Sequence, residues 1–103
     1  MIVATGGGFG GKPRPALVVQ GDDHLDLPTV VLAPFTTDLN EVPVTRPRIS
    51  PDERNGLRHE SDLMVDILIT ARRHQVTAPV GKLNRDDLAR AERALLTLLG
   101  FAA

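Results

Sequence analysis

The residue of this chain best placed to do chemistry is an arginine on a stiff backbone. Arg14 lies between Pro13 and Pro15, and each proline fixes its own φ while biasing the preceding residue toward extended conformations. A guanidinium so held, at the mouth of the apolar run 16–19, suits repeated gripping of a phosphate or carboxylate in one geometry. An ion pair with a neighbouring aspartate fits the same local sequence equally well. Thr36 and Thr37 follow the apolar run that ends in Pro34-Phe35, at a strand end where side chains project toward a ligand. Asp66 is the lone acid of the stretch Leu63-Met64-Val65-Asp66-Ile67-Leu68-Ile69. Burying a carboxylate unpaired is costly, so it requires backbone, hydroxyl or arginine donors.

Other chemistries are disfavoured. His24, His59 and His74 stand apart in polar segments and make no metal-ligand spacing, and they read as surface residues. His59 alone keeps a candidate role, just after the turn signal Asn55-Gly56 and two residues before Ser61. Gly6-x-Gly8-x-x-Gly11 matches a dinucleotide fingerprint, and Gly6-x-x-x-x-Gly11-Lys12 matches most of a P-loop. Both motifs need a helix to start directly after the loop, which Pro13 and Pro15 oppose, so the glycines read as a hairpin loop.

The elements that must position these residues are short. Strands are predicted over 2–5, 15–20 and 29–35, the last a continuous apolar run that implies burial on both faces. Pro34 should sit at the end of a ladder, at an edge or at a bulge. Val44 to Ile49, with Pro43 and Pro47 removing donors, reads as an edge strand, and 63–69 as a second buried strand carrying Asp66. A last strand over 79–83 leads to Asn84, which caps a helix with Asp86 and Asp87 in its first turn. Leu88, Ala91, Leu95, Leu98 and Leu99 follow helical spacing and predict a face packed on the sheet. Leu96 widens that apolar face and suggests a dimer contact, and Gly100 ends the helix with Phe101 folding back on its last turn. The fold class is mainly β with one C-terminal helix, a small, strongly curved barrel forming a single domain over 1–103.

Bulk composition narrows the function. Twelve Lys and Arg against 13 Asp and Glu give a net charge of −1, without the strongly basic signature of a general nucleic-acid binder, so anion binding must be local. The chain has no cysteine, which excludes thiolate catalysis and fits a reducing compartment. Three phenylalanines, no Trp and no Tyr argue against broad single-strand coating by base stacking. No apolar run approaches membrane-spanning length, and a cytoplasmic protein is expected.

The order of parts resembles the MazF/PemK family of toxin endoribonucleases: a strand, a glycine-rich loop, Arg14-Pro15-Ala16-Leu17-Val18-Val19, then Ala33-Pro34-Phe35-Thr36, then Asn55-Gly56-Leu57, Ser61 and Val65-Asp66, then Gly81-Lys82-Leu83 and a final helix. The resemblance covers essentially the whole chain. It implies an SH3-like barrel of the MazF/CcdB kind, a homodimer, a cognate acidic antitoxin, and cleavage of single-stranded RNA without a metal or other cofactor. It implies catalytic roles for Arg14 and Thr36, with Asp66 and more weakly His59 as the proton acceptor. It further implies RNA contacts from Phe9, Lys12, Thr37, Arg46, Arg58 and Ser61. Met64 stands where one branch of the family carries a catalytic arginine, and Ile67 and Ile69 where the family often has glutamine and a basic residue. The family's opening glycine and acid are missing, so a start upstream of Met1 is expected. Two other readings remain at this stage: a CcdB-like gyrase poison, although the chain lacks a C-terminal Trp, and a barrel that binds antitoxin with impaired turnover.

Overall fold

The computed structural model describes residues 1–5, 14–21, 26–39 and 46–101. The elements are β1 (Ile2–Thr5), β2 (Arg14–Val18), β3 (Thr29–Thr36), β4 (Arg48–Ile49), β5 (Ser61–Leu63), β6 (Ile69–Arg72), β7 (Val76–Gly81) and α1 (Arg85–Leu99). A single 3₁₀ turn at Arg73–Gln75 joins β6 to β7. Every pairing is antiparallel, in the order β4-β5-β3-β2-β1-β7 with β6 also on β3, and the sheet bends into a half-barrel closed at one side by α1.

β3 is central because its residues are apolar on both sides. Ala33 and Phe35 face a core with Ile2, Leu17, Ile49, Leu63 and Val65, on which α1 rests. Val30 and Leu32 face a second cluster with Val3 and Ala16. Past Val18 the ladder runs on through Val19 N–H to the Val31 carbonyl, and the Gln20 side chain accepts the Val31 amide.

The predicted buried strand over 63–69 is two strands, β5 and β6, separated by a turn. Phe35 pairs with Leu63 and Leu32 pairs with Ile69, so the partner chain uses residues 64–68 to pass only positions 33 and 34 of β3. The reason is Pro34, which offers no N–H to its neighbour. Its carbonyl still accepts Met64 N–H (2.8 Å), after which the chain turns, with Ile67 N–H donating to the Met64 carbonyl. Val65 stays buried, but Asp66, Ile67 and Leu68 are carried to the surface.

The predicted edge strand shrinks to Arg48–Ile49, which does lie at the sheet's edge, while Arg46 sits in a bend and 44–45 fall outside the described residues. β7 begins earlier than predicted and tolerates Pro79 because it pairs only with β1. Its end, Gly81, lies so close to the 54–55 backbone that a Cβ there would be 2.4 Å from the Asn55 carbonyl carbon and oxygen. That loop is held by Asn55, fully buried, which donates to the Ser50 carbonyl and accepts the amides of Asp52 and Leu57.

Asn84 caps α1 through its Oδ1, which accepts Asp87 N–H (2.8 Å), and Gly100 ends it at φ 82°. The packed face is narrower than the leucine spacing predicts. Ala91, Ala94 and Leu95 reach the core, while Leu88, Leu96, Leu98 and Leu99 stay at least 40% exposed. The helix sits down on Ala91 and Ala94, and Leu88 only borders the small apolar gap it shares with Leu17, Val19 and Val65. Phe101 closes the cap through its backbone N–H to the Leu96 carbonyl, yet its side chain is exposed rather than folded back.

Candidate active site

Two of the residues singled out for catalysis, Arg14 and Thr36, stand on one face of neighbouring strands. Ala16 lies opposite Pro34, the last pair of the β2–β3 register, and Arg14 and Thr36 lie two residues beyond it on their strands. Alternate strand residues share a face, so Arg14 and Thr36 both stand on the side of Ala16 and Pro34. Register continues the row: Thr36 is opposite Asp62 of β5, and Asp62 is opposite Arg48 of β4. A polar row, Arg14–Thr36–Asp62–Arg48, therefore crosses four strands, next to the apolar cluster of Val3, Ala16, Val30 and Leu32.

Each member has a distinct setting. Arg14 is exposed at the start of β2. Thr36 is half-buried, and its Oγ1 accepts Asp38 N–H (3.1 Å), which fixes the hydroxyl and leaves its hydrogen to donate. Asp62 is 1% exposed and held by Arg48, whose Nε and Nη2 donate to its two oxygens at 2.9 and 3.4 Å. This is the buried acid of the region. The sequence reading gave that place to Asp66, because the alternation in Ser61-Asp62-Leu63 is too short to signal a strand by itself.

Asp66 lies on the turn after β5. Arg46 grips it with a planar fork, Nε to Oδ1 and Nη2 to Oδ2, both at 3.0 Å. This pairing holds the Asp66 carboxyl below the usual carboxylate range, against the opposing effect of partial burial, and it raises the Arg46 guanidinium. The charges of Asp62 and Asp38 act on Arg46 in the same direction, more weakly.

The remaining candidates divide. Ser61 is buried, with its Oγ donating to the His59 carbonyl (2.9 Å), so its hydroxyl braces the backbone there. His59, Arg58 and Thr37 are exposed. Phe9 and Lys12 lie outside the described residues. Among the described residues, no three His, Asp or Glu side chains converge as a metal site.

The sequence model of the PemK-like, MazF-like toxins of type II toxin–antitoxin systems matches residues 3–99. A probable endoribonuclease MazF of Mycolicibacterium smegmatis is 41% identical over 99 residues, covering 96% of this chain and 91% of that protein. The fold is similar to that of the Mycobacterium tuberculosis toxin MazF-mt6, with a TM-score of 0.82 at 19% identity and full coverage of both chains. It is also similar to a mycobacterial endoribonuclease solved in complex with its cognate antitoxin, with a TM-score of 0.79 at 18% identity over 99% of this chain and 93% of the other.

Proposed function

Because the chain belongs to the PemK-like, MazF-like toxin family of type II toxin–antitoxin systems, we propose that it is an endoribonuclease that cleaves single-stranded RNA with its own side chains. In this reading the substrate's 2′-oxygen attacks the adjacent phosphorus in line, the 5′-oxygen leaves, and a 2′,3′-cyclic phosphate and a 5′-hydroxyl end result. The 2′-hydroxyl proton goes to an acceptor, and the leaving oxygen takes up a proton. Cleavage of mRNA in the cytoplasm would halt translation and growth until an acidic antitoxin covers the site.

The observation that supports this reading is that Arg14 and Thr36 lie two residues beyond the Ala16–Pro34 pair, on the same side of adjacent strands. Arg14, always charged, neutralises the phosphoryl oxygens and donates toward the leaving oxygen. Thr36 donates its hydroxyl hydrogen to a non-bridging oxygen, its lone pair being engaged by Asp38 N–H. Asp66 is the acceptor for the 2′-hydroxyl proton, with His59 the weaker second choice. Phe9, Lys12, Thr37, Arg46 and Arg58 complete the RNA contacts, and Ser61, buried, acts by bracing the backbone at His59 rather than by touching RNA. The exposed Leu88, Leu96, Leu98 and Leu99 of α1 supply apolar surface for a homodimer.

The test is cleavage of single-stranded RNA by the purified protein in the presence of a chelator, with Arg14→Ala alongside. Cleavage that is lost in Arg14→Ala while the fold is retained is the expected result. Full cleavage by Arg14→Ala overturns the residue assignment, and no cleavage by the wild type overturns the activity.

A further inference from the structure

Two forked arginine–aspartate pairs lie in this region, Arg48–Asp62 within the row and Arg46–Asp66 on the turn after β5, and they differ in what opening them requires. Asp62 is 1% exposed and sits in the β4–β5 ladder, so parting it from Arg48 strands a buried charge. Asp66 has a side chain 30% exposed, and it belongs to the turn over 64–68 rather than to a ladder. With Arg46 17% exposed, water reaches both ions of this pair, so parting it costs less than parting the buried Asp62 pair. A phosphodiester carries the same single negative charge as a carboxylate. It also offers two oxygens to the same planar fork, so exchange at Arg46 conserves both charge and hydrogen-bond count. The turn that carries Asp66 is tied to β3 two residues before Thr36, where Met64 N–H donates to the Pro34 carbonyl (2.8 Å), so the fork is held on the β3 edge that leads to Thr36.

We propose that Asp66 is a placeholder: its carboxylate fills the Arg46 fork in the free protein and yields it to a backbone phosphate when single-stranded RNA binds. This rests on the endoribonuclease reading and adds a phosphate subsite with a reason for its occupancy. The exchange has a second effect. While Arg46 holds it, the Asp66 carboxylate is a weakened proton acceptor. Once released beside a phosphate, it has lost its cation and gained an anion for a neighbour, and both changes strengthen it as an acceptor. RNA binding itself would thereby prepare the group that the reaction needs.

Binding of a single-stranded oligonucleotide lacking 2′-hydroxyls, which cannot be cleaved, separates this exchange from catalysis. Asp66→Asn should bind this probe about two- to fivefold more tightly than wild type, the range set by the modest strength of an exposed ion pair. Its log Kd against log salt should be steeper by about 0.7, the increment for one more phosphate contact on a single strand. Asp66→Ser should behave alike, which guards against a fault peculiar to the amide, and Arg46→Gln in the Asp66→Asn background should abolish the gain. If wild type binds the probe and both Asp66 variants bind it equally or more weakly, the placeholder is wrong while the nuclease reading stands. If wild type neither binds the probe nor cleaves RNA, the nuclease reading itself has failed.

Discussion

The double substitution Arg14→Ala, Thr36→Val tests whether the two side chains act on one phosphoryl group. Arg14 and Thr36 lie two residues beyond the Ala16–Pro34 pair, and since opposed positions on adjacent strands stand roughly 5 Å apart at their Cα atoms, both long and short side chains there can reach a single phosphate. Arg14 is exposed, so its truncation leaves no cavity and should change stability by less than about 0.5 kcal/mol. Its loss in the reaction should be much larger. Removing one preorganised donor to developing oxyanion charge costs about 3–4 kcal/mol, or two to three decades in rate. Thr36→Val keeps the half-buried shape and removes one neutral donor, worth about 1 kcal/mol or roughly fivefold. It also forfeits the bond from Asp38 N–H, which water replaces at that exposed turn. Single-turnover cleavage of a fluorogenic RNA, with enzyme in excess and chelator present, isolates the chemical step. Because both groups serve one transition state, the double variant should lose clearly less than the sum of the single losses. Losses that add to within about 0.3 kcal/mol, or Arg14→Ala retaining rates within threefold of wild type, would refute the shared phosphoryl site.

Three further predictions concern the scaffold around that site. Gly81→Ala places a Cβ 2.4 Å from the Asn55 carbonyl, a backbone atom that cannot simply rotate away. It should cost about 2–4 kcal/mol, read as a melting-temperature drop of roughly 10 °C or more; an unchanged melting temperature would show that the β7 contact yields freely. Asn55→Ala unpairs the Ser50 carbonyl and the Asp52 and Leu57 amides in a fully buried place and should cost about 2–4 kcal/mol by urea unfolding. The Asp66 carboxyl is held low in the folded state, so its pair contributes stability above the unfolded carboxylate pKa of about 3.9 and loses it as pH falls through the lower folded value. Asp66→Asn should therefore be less stable than wild type by under about 1 kcal/mol at neutral pH, a gap that closes as pH falls through the lowered folded pKa; a gap that widens in acid would contradict the pairing.

What the sequence makes legible here is whatever depends on local pattern. The β3 run, the Asn84 cap, the Gly100 stop and the cradle of prolines around Arg14 can all be read from neighbouring residues, and β3, the cap and the stop are where the structure has them. The join of β5 to β6 could not be read so, because the apolar stretch over 63–69 is continuous and the interruption comes from Pro34, roughly thirty residues away and on another strand. For the same reason the buried acid was sought at Asp66 rather than Asp62, whose burial depends on pairing with both β3 and β4. The helix erred the other way: heptad-like leucines suggested a wide packed face, and close seating on Ala91 and Ala94 left most of them outside.

Pro34 also has a consequence for how this chain can vary. Pairing resumes on both sides of it, at Leu63 and at Ile69, with the register shifted by three residues, and the turn over 64–68 takes up that slack. Residues can be added to or removed from that turn without shifting a side chain on β5 or β6 to the wrong face, a freedom that an unbroken strand would deny. A library of insertions at 66–68, screened for folded protein, should be tolerated where the same insertions at 61–63 are not. The proline therefore acts as a length buffer in the sheet, letting the segment that carries Asp66 change while the row at Thr36 stays in place.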